Sequence, residues 1–147
     1  MITVKQRLNK KEEQAVSFLL NDLIDVYKDF YITKNKLRLF IKENKEVLFK
    51  GLRKGNLIAY NEKGLAIIVG FSDKHPRKYL KCLAVNEIES KKLIQALLWN
   101  VKFDLYAKIK RRNELLNILK AFGFKFKGSR GQEILLERKY GEINNVN

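Results

Sequence analysis

Apolar residues recur at helical spacing over residues 10–30, which predicts an amphipathic helix with one buried stripe. A β-rich start at residues 2–6 precedes this segment and predicts a first strand. Thr33 is placed to cap a second helix that ends near residue 43. Gly51 and Gly55 interrupt the segment that follows. The first third of the chain is therefore expected to contain one strand and two helices.

The hydrophobic period then changes from helical to strand-like. Short apolar runs at residues 56–60, 65–71 and 79–85 predict three consecutive strands, and therefore an antiparallel meander. A hairpin turn joins the first two, with Gly64 expected in a left-handed conformation. Residues 72–78 are polar and are expected to form a loop.

The second half of the chain alternates helices and strands. Residues 89–99 have the pattern of a helix that Ser90 can cap, and residues 104–110 alternate as a half-buried strand does. Asn113 can cap a further helix, which Gly123 ends as a C′ glycine. Two strands follow, starting at Phe124 and at Gln132 and joined by a turn over 128–131.

The predicted element order is β-α-α-β-β-β-α-β-α-β-β, an α/β (α+β) fold with a mixed central sheet and helices on its faces. We expect a single domain over residues 1–140 and a polar tail over 141–147 that frays. The length of 147 residues and the apolar fraction of 46% suit one packed core.

Composition excludes several classes of site and leaves the meaning of the charge open. One Cys and one His exclude a disulfide framework and a multi-histidine metal site. Without a membrane span or signal pattern, a cytoplasmic protein is expected. The net charge of +15 favours polyanions, including nucleic acid. The densest basic run contains Lys108, Lys110, Arg111 and Arg112, which fits phosphate contact and a solvated strand end equally well.

Isolated reactive residues point to no catalytic group. His75 has cations around it and is expected to be a neutral loop residue. Cys82 lies within a predicted central strand, which favours a buried structural thiol over a nucleophile. Asp73 and Glu62 are weak candidates for a carboxylate base, because nothing in the sequence pairs them.

The element order resembles that of the GNAT superfamily of acyltransferases, and three local patterns add to the resemblance. Residues 2–5 before an amphipathic helix resemble the family's first strand and helix. Residues 83–85, followed by a helix with Leu97 and Leu98, resemble its fourth strand and cofactor-binding helix. Residues 118–124 resemble its late helix and closing Gly-Phe pair.

The resemblance implies acetyl-CoA as the cofactor and an amine as the acyl acceptor. The backbone of residues 83–85 would then bind the pantetheine arm. The Asn usually found at the end of the fifth strand maps near Asn113, or onto Arg112 with a one-residue shift. The expected cofactor-binding residues are Leu83, Ala84, Val85, Ser90, Lys91, Lys92 and Asn113, of which Lys91 and Lys92 could hold a phosphate by their charge near a helix start.

The sequence departs from the GNAT pattern at the positions that carry its chemistry. Counted back from Leu97 and Leu98, the two pyrophosphate-binding glycines fall on Lys92 and Ile94, and the basic position falls on Glu89. The late-helix Tyr that protonates the departing thiolate falls on Leu119, which has no proton to give. These losses predict weak or absent acyl transfer.

Three functions remain open on the sequence. The first is an acyl-CoA-dependent N-acetyltransferase with weak or no activity. The second is a catalytically silent GNAT-fold structural or interaction protein, similar to small virion proteins of some tailed phages, in a viral or homo-oligomeric assembly and virion-associated. The third is sequence-independent nucleic-acid binding through the lysine-rich surface, with an affinity that falls steeply with salt.

Overall fold

The computed structural model describes residues 1–26, 57–72, 75–111 and 113–143. Over these ranges its elements follow the predicted order, and the predicted second helix at 33–43 lies outside the described residues. The elements are β1 (Thr3–Lys5), α1 (Lys10–Val26), β2 (Ile58–Asn61), β3 (Gly64–Ser72), β4 (His75–Ala84), α2 (Glu87–Leu98), β5 (Leu105–Lys110), α3 (Leu115–Ala121), β6 (Lys125–Arg130), β7 (Glu133–Arg138) and α4 (Tyr140–Ile143).

The described strands form one seven-stranded mixed sheet in the order β1-β2-β3-β4-β5-β7-β6. Neighbouring strands are antiparallel except β4 and β5, which are parallel because α2 carries the chain back between them. The predicted α/β class with a mixed central sheet is confirmed.

Helices pack on both faces of this sheet, because successive strand residues point to opposite sides. On one face, Leu80 of β4 and Ala107 of β5 are buried in a core that includes residues of α2 and α3. On the other face, Tyr79 of β4 lies in a second core with Val16 and Leu19 of α1. Strand β4 therefore contributes to both cores.

The meander is longer than the sequence pattern predicts. The predicted polar loop at 72–78 is wrong, because β3 extends to Ser72 and β4 begins at His75, where these two residues pair. The pairing of these two strands contains a register shift between Gly70 and Ser72. Helix α4 spans Tyr140–Ile143, and residues 144–147 of the predicted polar tail lie outside the described residues.

Gly64 is required by close packing rather than by backbone conformation. Its φ is not positive, which corrects the left-handed conformation expected from the sequence. A Cβ built on Gly64 would lie 2.5 Å from the Ala84 Cβ and 2.6 Å from the Leu83 carbonyl oxygen. Since the second contact is with backbone, a side chain at Gly64 would push β3 away from the end of β4.

Gly64→Ala is therefore expected to lower the free energy of unfolding by roughly 1–3 kcal/mol, the range for overpacking a filled site. Gly70→Ala is the matched control on the same strand, because a Cβ there meets nothing within 4 Å. Chemical denaturation of both variants gives the measurement. Equal losses at the two positions would contradict the packing explanation.

Candidate functional site

The parallel strands β4 and β5 separate beyond a single residue pair. Their recorded register consists of Tyr79 opposite Tyr106, about midway along β4 and near the start of β5. Among the described residues, no strand occupies the space between the carboxyl ends of β4 and β5. We call this opening the wedge. The separation of these two strands is the feature in which GNAT-like proteins, by the resemblance above, would seat their cofactor.

The pairing of β3 with β4 determines which backbone groups face the wedge. The Val85 N–H donates to the Lys63 carbonyl oxygen at 2.9 Å, so these residues form a hydrogen-bonded pair. Hydrogen-bonded and non-hydrogen-bonded pairs alternate in an antiparallel ladder, so Leu83 is also bonded to β3. The N–H and C=O groups of Cys82 and Ala84 therefore point toward β5.

This alternation determines which backbone groups of the expected pantetheine-binding residues bond to β3 and which face the wedge. Of residues 83–85, only Ala84 turns its backbone toward the wedge, because the backbone groups of Leu83 and Val85 hydrogen-bond on the β3 side. The Cys82 backbone, which the sequence analysis does not single out, turns to the same side as that of Ala84. This direction depends on the phase of hydrogen bonding with β3, for which the sequence of β4 contains no signal.

The turn from β4 into α2 is short and already capped. Only Val85 and Asn86 separate the two elements, and the Asn86 Oδ1 accepts a hydrogen bond from the Glu89 N–H at 2.9 Å. The prediction of Ser90 as the cap is wrong, because α2 begins three residues before it. A phosphate would find one of the helix's exposed N–H groups already taken.

The expected glycine positions lie inside α2 and not in a phosphate-binding loop. Lys92 is exposed in the second turn of the helix, and Ile94 is fully buried in the core. Counting back from Leu97 assumes a loop of family length, whereas this chain replaces the loop with helix. The two positions therefore cannot act as the glycines of a phosphate cradle.

The start of α2 carries opposing charges. Glu87 is exposed in the first turn, and Glu89 is buried to 7% exposure. The Glu89 Oε1 lies 3.6 Å from the Lys63 Nζ and 3.8 Å from the Lys92 Nζ. Both acidic residues favour the helix N-terminus but repel an anionic ligand, while Lys63, Lys92 and the exposed Lys91 offset them.

Cys82 has the properties of a structural thiol. Desolvation raises the pKa of its thiol to about 12, and a hydrogen bond with the buried Ser90 only partly opposes this shift. The Cys82 residue as a whole keeps intermediate exposure, although its thiol is desolvated. The expectation of an unreactive thiol thus fits the structure, and Ser90 acts as its neighbour on α2.

A polar cluster lies where β4 and β5 meet. The rings of Tyr79 and Tyr106 are 5.9 Å apart. Glu137 of β7 accepts a hydrogen bond from the Tyr106 hydroxyl and pairs with the Lys127 Nζ at 3.0 Å. These contacts lower the pKa of Glu137 and raise that of Tyr106, so the first is a carboxylate and the second a neutral phenol.

Lys81 lies two residues after Tyr79 on β4, in the direction of the wedge. Burial, and then repulsion from Lys108, lowers the pKa of its ammonium group. The sequence pattern of β5 placed Tyr106 and Lys108 on one side of the strand, but the partners from β4, β6 and β7 depend on strand order. The sequence pattern alone does not predict this strand order.

Solved structures resemble this fold over almost the whole chain. PaiA N-acetyltransferase from Thermoplasma acidophilum, solved with coenzyme A, has a TM-score of 0.73 at 15% identity, covering 95% of this chain and 99% of that one. A GNAT-family acetyltransferase from Listeria monocytogenes has a TM-score of 0.63 at 17% identity and covers 94% of both chains. The chain has the GNAT fold.

A third structure extends the comparison to a polyamine-acetylating protein. A spermidine N-acetyltransferase chimera from Vibrio cholerae and hSSAT has a TM-score of 0.60 at 13% identity, covering 98% of both chains. No protein-family model matches the sequence, and no curated protein matches it either. The similarity of this chain to these solved proteins is therefore a similarity of fold.

The remaining predicted site residues of this GNAT fold are dispersed. Asn113 caps α3, since its Oδ1 accepts a hydrogen bond from the Leu115 N–H at 2.9 Å. Leu119 is 2% exposed in the same helix and adds no proton donor. Glu62 is exposed in the β2–β3 turn, and His75 begins β4. Asp73 and Arg112 lie outside the described residues.

Three residues of the basic run predicted for nucleic acid, Lys108, Lys110 and Arg111, are described, and all three are exposed. The Lys108 Nζ lies 5.1 Å from the centroid of the Tyr79 ring. Lys110 is exposed at the end of β5, whereas the Arg111 Nε donates to the Gly131 carbonyl oxygen at 3.3 Å in the β6–β7 turn. Nucleic-acid binding through this run stays a prediction.

The described ranges contain neither a membrane-crossing helix nor a metal-binding cluster. No described helix combines the length and the apolar character needed to cross a membrane. No group of three or more His, Cys, Asp or Glu residues in the same ranges is arranged to hold a metal ion.

Asn86→Ala is expected to lower the free energy of unfolding by about 1 kcal/mol, because it removes the acceptor that caps α2. Ser90→Ala should cost less, since it removes only a contact with a thiol, which is a weak hydrogen-bonding partner. Denaturant titration of both variants measures the difference. A larger loss at Ser90 would contradict the assignment of the cap.

Proposed function

We propose that the chain binds an acyl-CoA thioester in the wedge and transfers its acyl group to an amine. The observation that supports this most is the turning of the Cys82 backbone toward the opening between β4 and β5. An extended amide-bearing chain such as pantetheine can add to such a strand edge by backbone hydrogen bonds. The fold and the coenzyme A bound to the Thermoplasma relative support the same ligand.

The reaction is an exchange of one acyl bond for another. The neutral amine nitrogen attacks the thioester carbonyl carbon, a C–N bond forms and the C–S bond breaks. The proton lost by the nitrogen balances the one gained by the thiolate, giving an amide and free CoA thiol. Lys81, whose lowered pKa increases its neutral fraction, is the group near the wedge suited to accept a proton.

The affinity for the nucleotide part of the cofactor should be low. The β4–α2 turn contains no glycine, Asn86 caps the helix, and Glu87 stands in the first turn. Binding would then depend on the pantetheine arm more than on the pyrophosphate. Without a tyrosine at Leu119, the departing thiolate would also lack that proton donor.

Calorimetric titration with acetyl-CoA and with CoA should give weak but saturable binding. Amide hydrogen exchange at Cys82 should slow when ligand is added, because its N–H faces the wedge. The amide of Val85 is the internal control, since it already donates to Lys63 and should change little. Absence of binding at millimolar ligand would contradict the proposal and leave the catalytically silent GNAT-fold module.

Glu87→Gln should strengthen CoA binding about two- to fivefold at low salt, because it removes a negative charge from the start of α2. Pantetheine, which has no phosphate, should bind both proteins equally. Asp22→Asn makes the same charge change on exposed α1 and should leave CoA affinity unchanged. Equal gains from both substitutions would mean that net charge alone sets the affinity.

A further inference from the structure

A cleft opens at the end of β4 and β5 opposite to the wedge. Its volume is about 410 Å³, and it is lined by Arg77, Lys78, Phe103, Asp104 and Tyr106. These residues come from the start of β4 and from the segment that enters β5. The cleft and the wedge therefore lie on either side of the single pair that joins the two strands.

Two cations in this cleft are held against aromatic rings. The Arg77 Cζ lies 4.8 Å from the centroid of the Tyr106 ring, and the Lys78 Nζ lies 4.5 Å from that of Phe103. Such contacts restrict the long side chains without neutralising them. An anion entering the cleft would meet charged groups that have already lost part of their conformational freedom.

The carboxylate of the cleft does not cancel this charge. Among the described lining residues, Asp104 supplies one negative charge against two positive ones, and its Oδ1 accepts a hydrogen bond from the Tyr140 N–H at 3.1 Å. The cleft is therefore positive and suits an oxyanion. Arg77 in particular can bind a carboxylate or a phosphate through two parallel N–H groups.

Tyr106 connects the cleft to the place where acyl transfer would occur. It lines the cleft, pairs with Tyr79 at the narrow end of the wedge, and donates its hydroxyl hydrogen to Glu137. Glu137 is a carboxylate with lowered pKa that also pairs with Lys127. An ammonium group placed beside Tyr106 would find this negative charge on its far side.

We propose that the cleft binds the oxyanion of a small acceptor amine, held by Arg77 and Lys78, with the amine directed past Tyr106 toward the wedge. The acceptor is then a molecule with both an amine and a carboxylate or phosphate. This inference rests on the proposed acyl transfer for its role, and on the cleft alone for binding. It distinguishes this chain from the spermidine N-acetyltransferase to which its fold is similar, because a polycation would be repelled by Arg77 and Lys78.

Binding is tested on the full chain without CoA, by NMR titration with matched probes. Phenylalanine is compared with phenethylamine, which lacks the carboxylate, and phosphoethanolamine with ethanolamine, which lacks the phosphate. Each anionic probe should bind more tightly than its partner, and the tighter of the two shows which oxyanion the cleft prefers. Spermidine should not bind there. Equal binding within both pairs, or tighter binding of spermidine, would overturn the proposal.

Arg77→Gln should weaken binding of the anionic probes roughly five- to tenfold, the effect of one charge-assisted contact at an exposed group. Arg130→Gln is the control of equal charge on exposed β6 and should change little. Asp104→Asn should strengthen binding, because its amide oxygen can still accept from Tyr140 while the negative charge is lost. An unchanged affinity in Arg77→Gln would overturn the assignment.

The outcomes separate this inference from the proposed function. Selective anion binding with no acetyl-CoA binding supports the cleft and contradicts acyl transfer. Acetyl-CoA binding without selective anion binding supports the proposed function and overturns the cleft. Where both ligands bind, acetylation of the anionic probes should exceed that of their uncharged partners, and Arg77→Gln should raise KM for them more than it lowers kcat.

Discussion

The hydrogen-bond phase between β3 and β4 is the constraint on which the proposed chemistry depends. It is set where the Val85 N–H meets the Lys63 carbonyl and where Gly64 lies against Ala84 without space for a side chain. Because every second residue of β4 bonds to β3, the intervening residues must face the other way. A slip of one residue would exchange Cys82 for Leu83 at the wedge and also turn buried side chains toward the wrong core.

The two ends of the β4–β5 pair differ in the partners of their charged side chains. At the α2 end, the negative charges of Glu87 and Glu89 stand against those of the nearby lysines. The Asn86 side chain already accepts a hydrogen bond from one backbone N–H of the helix. At the other end, Arg77 and Lys78 outweigh Asp104. Because Glu89 lies within 4 Å of both Lys63 and Lys92, the cations at the α2 end are already close to a carboxylate, and we place the proposed anion beside Arg77 and Lys78 instead.

The sequence predicted what depends on local periodicity and failed where tertiary contacts decide. The alternation of residues 104–110 gave the buried side of β5 correctly, with Leu105 and Ala107 fully buried. Gly64 was recognised as special for the wrong reason, because a clash with Ala84 is invisible in the sequence. The Tyr106–Glu137 contact joins β5 to β7, and only the strand order brings them together.

The same distinction explains the misplaced phosphate site. Counting back from Leu97 transfers a loop length from the GNAT pattern to this chain, but helix formation competes with that loop. Asn86 followed by acidic residues in the first turn is a strong helix start, so α2 extends backward through the positions that a glycine-rich loop would occupy. The helix is thereby stabilised at the expense of backbone donors for phosphate. Any affinity for an acyl-CoA must then come chiefly from the backbone edge at Cys82, where strand geometry and not sequence identity supplies the donors.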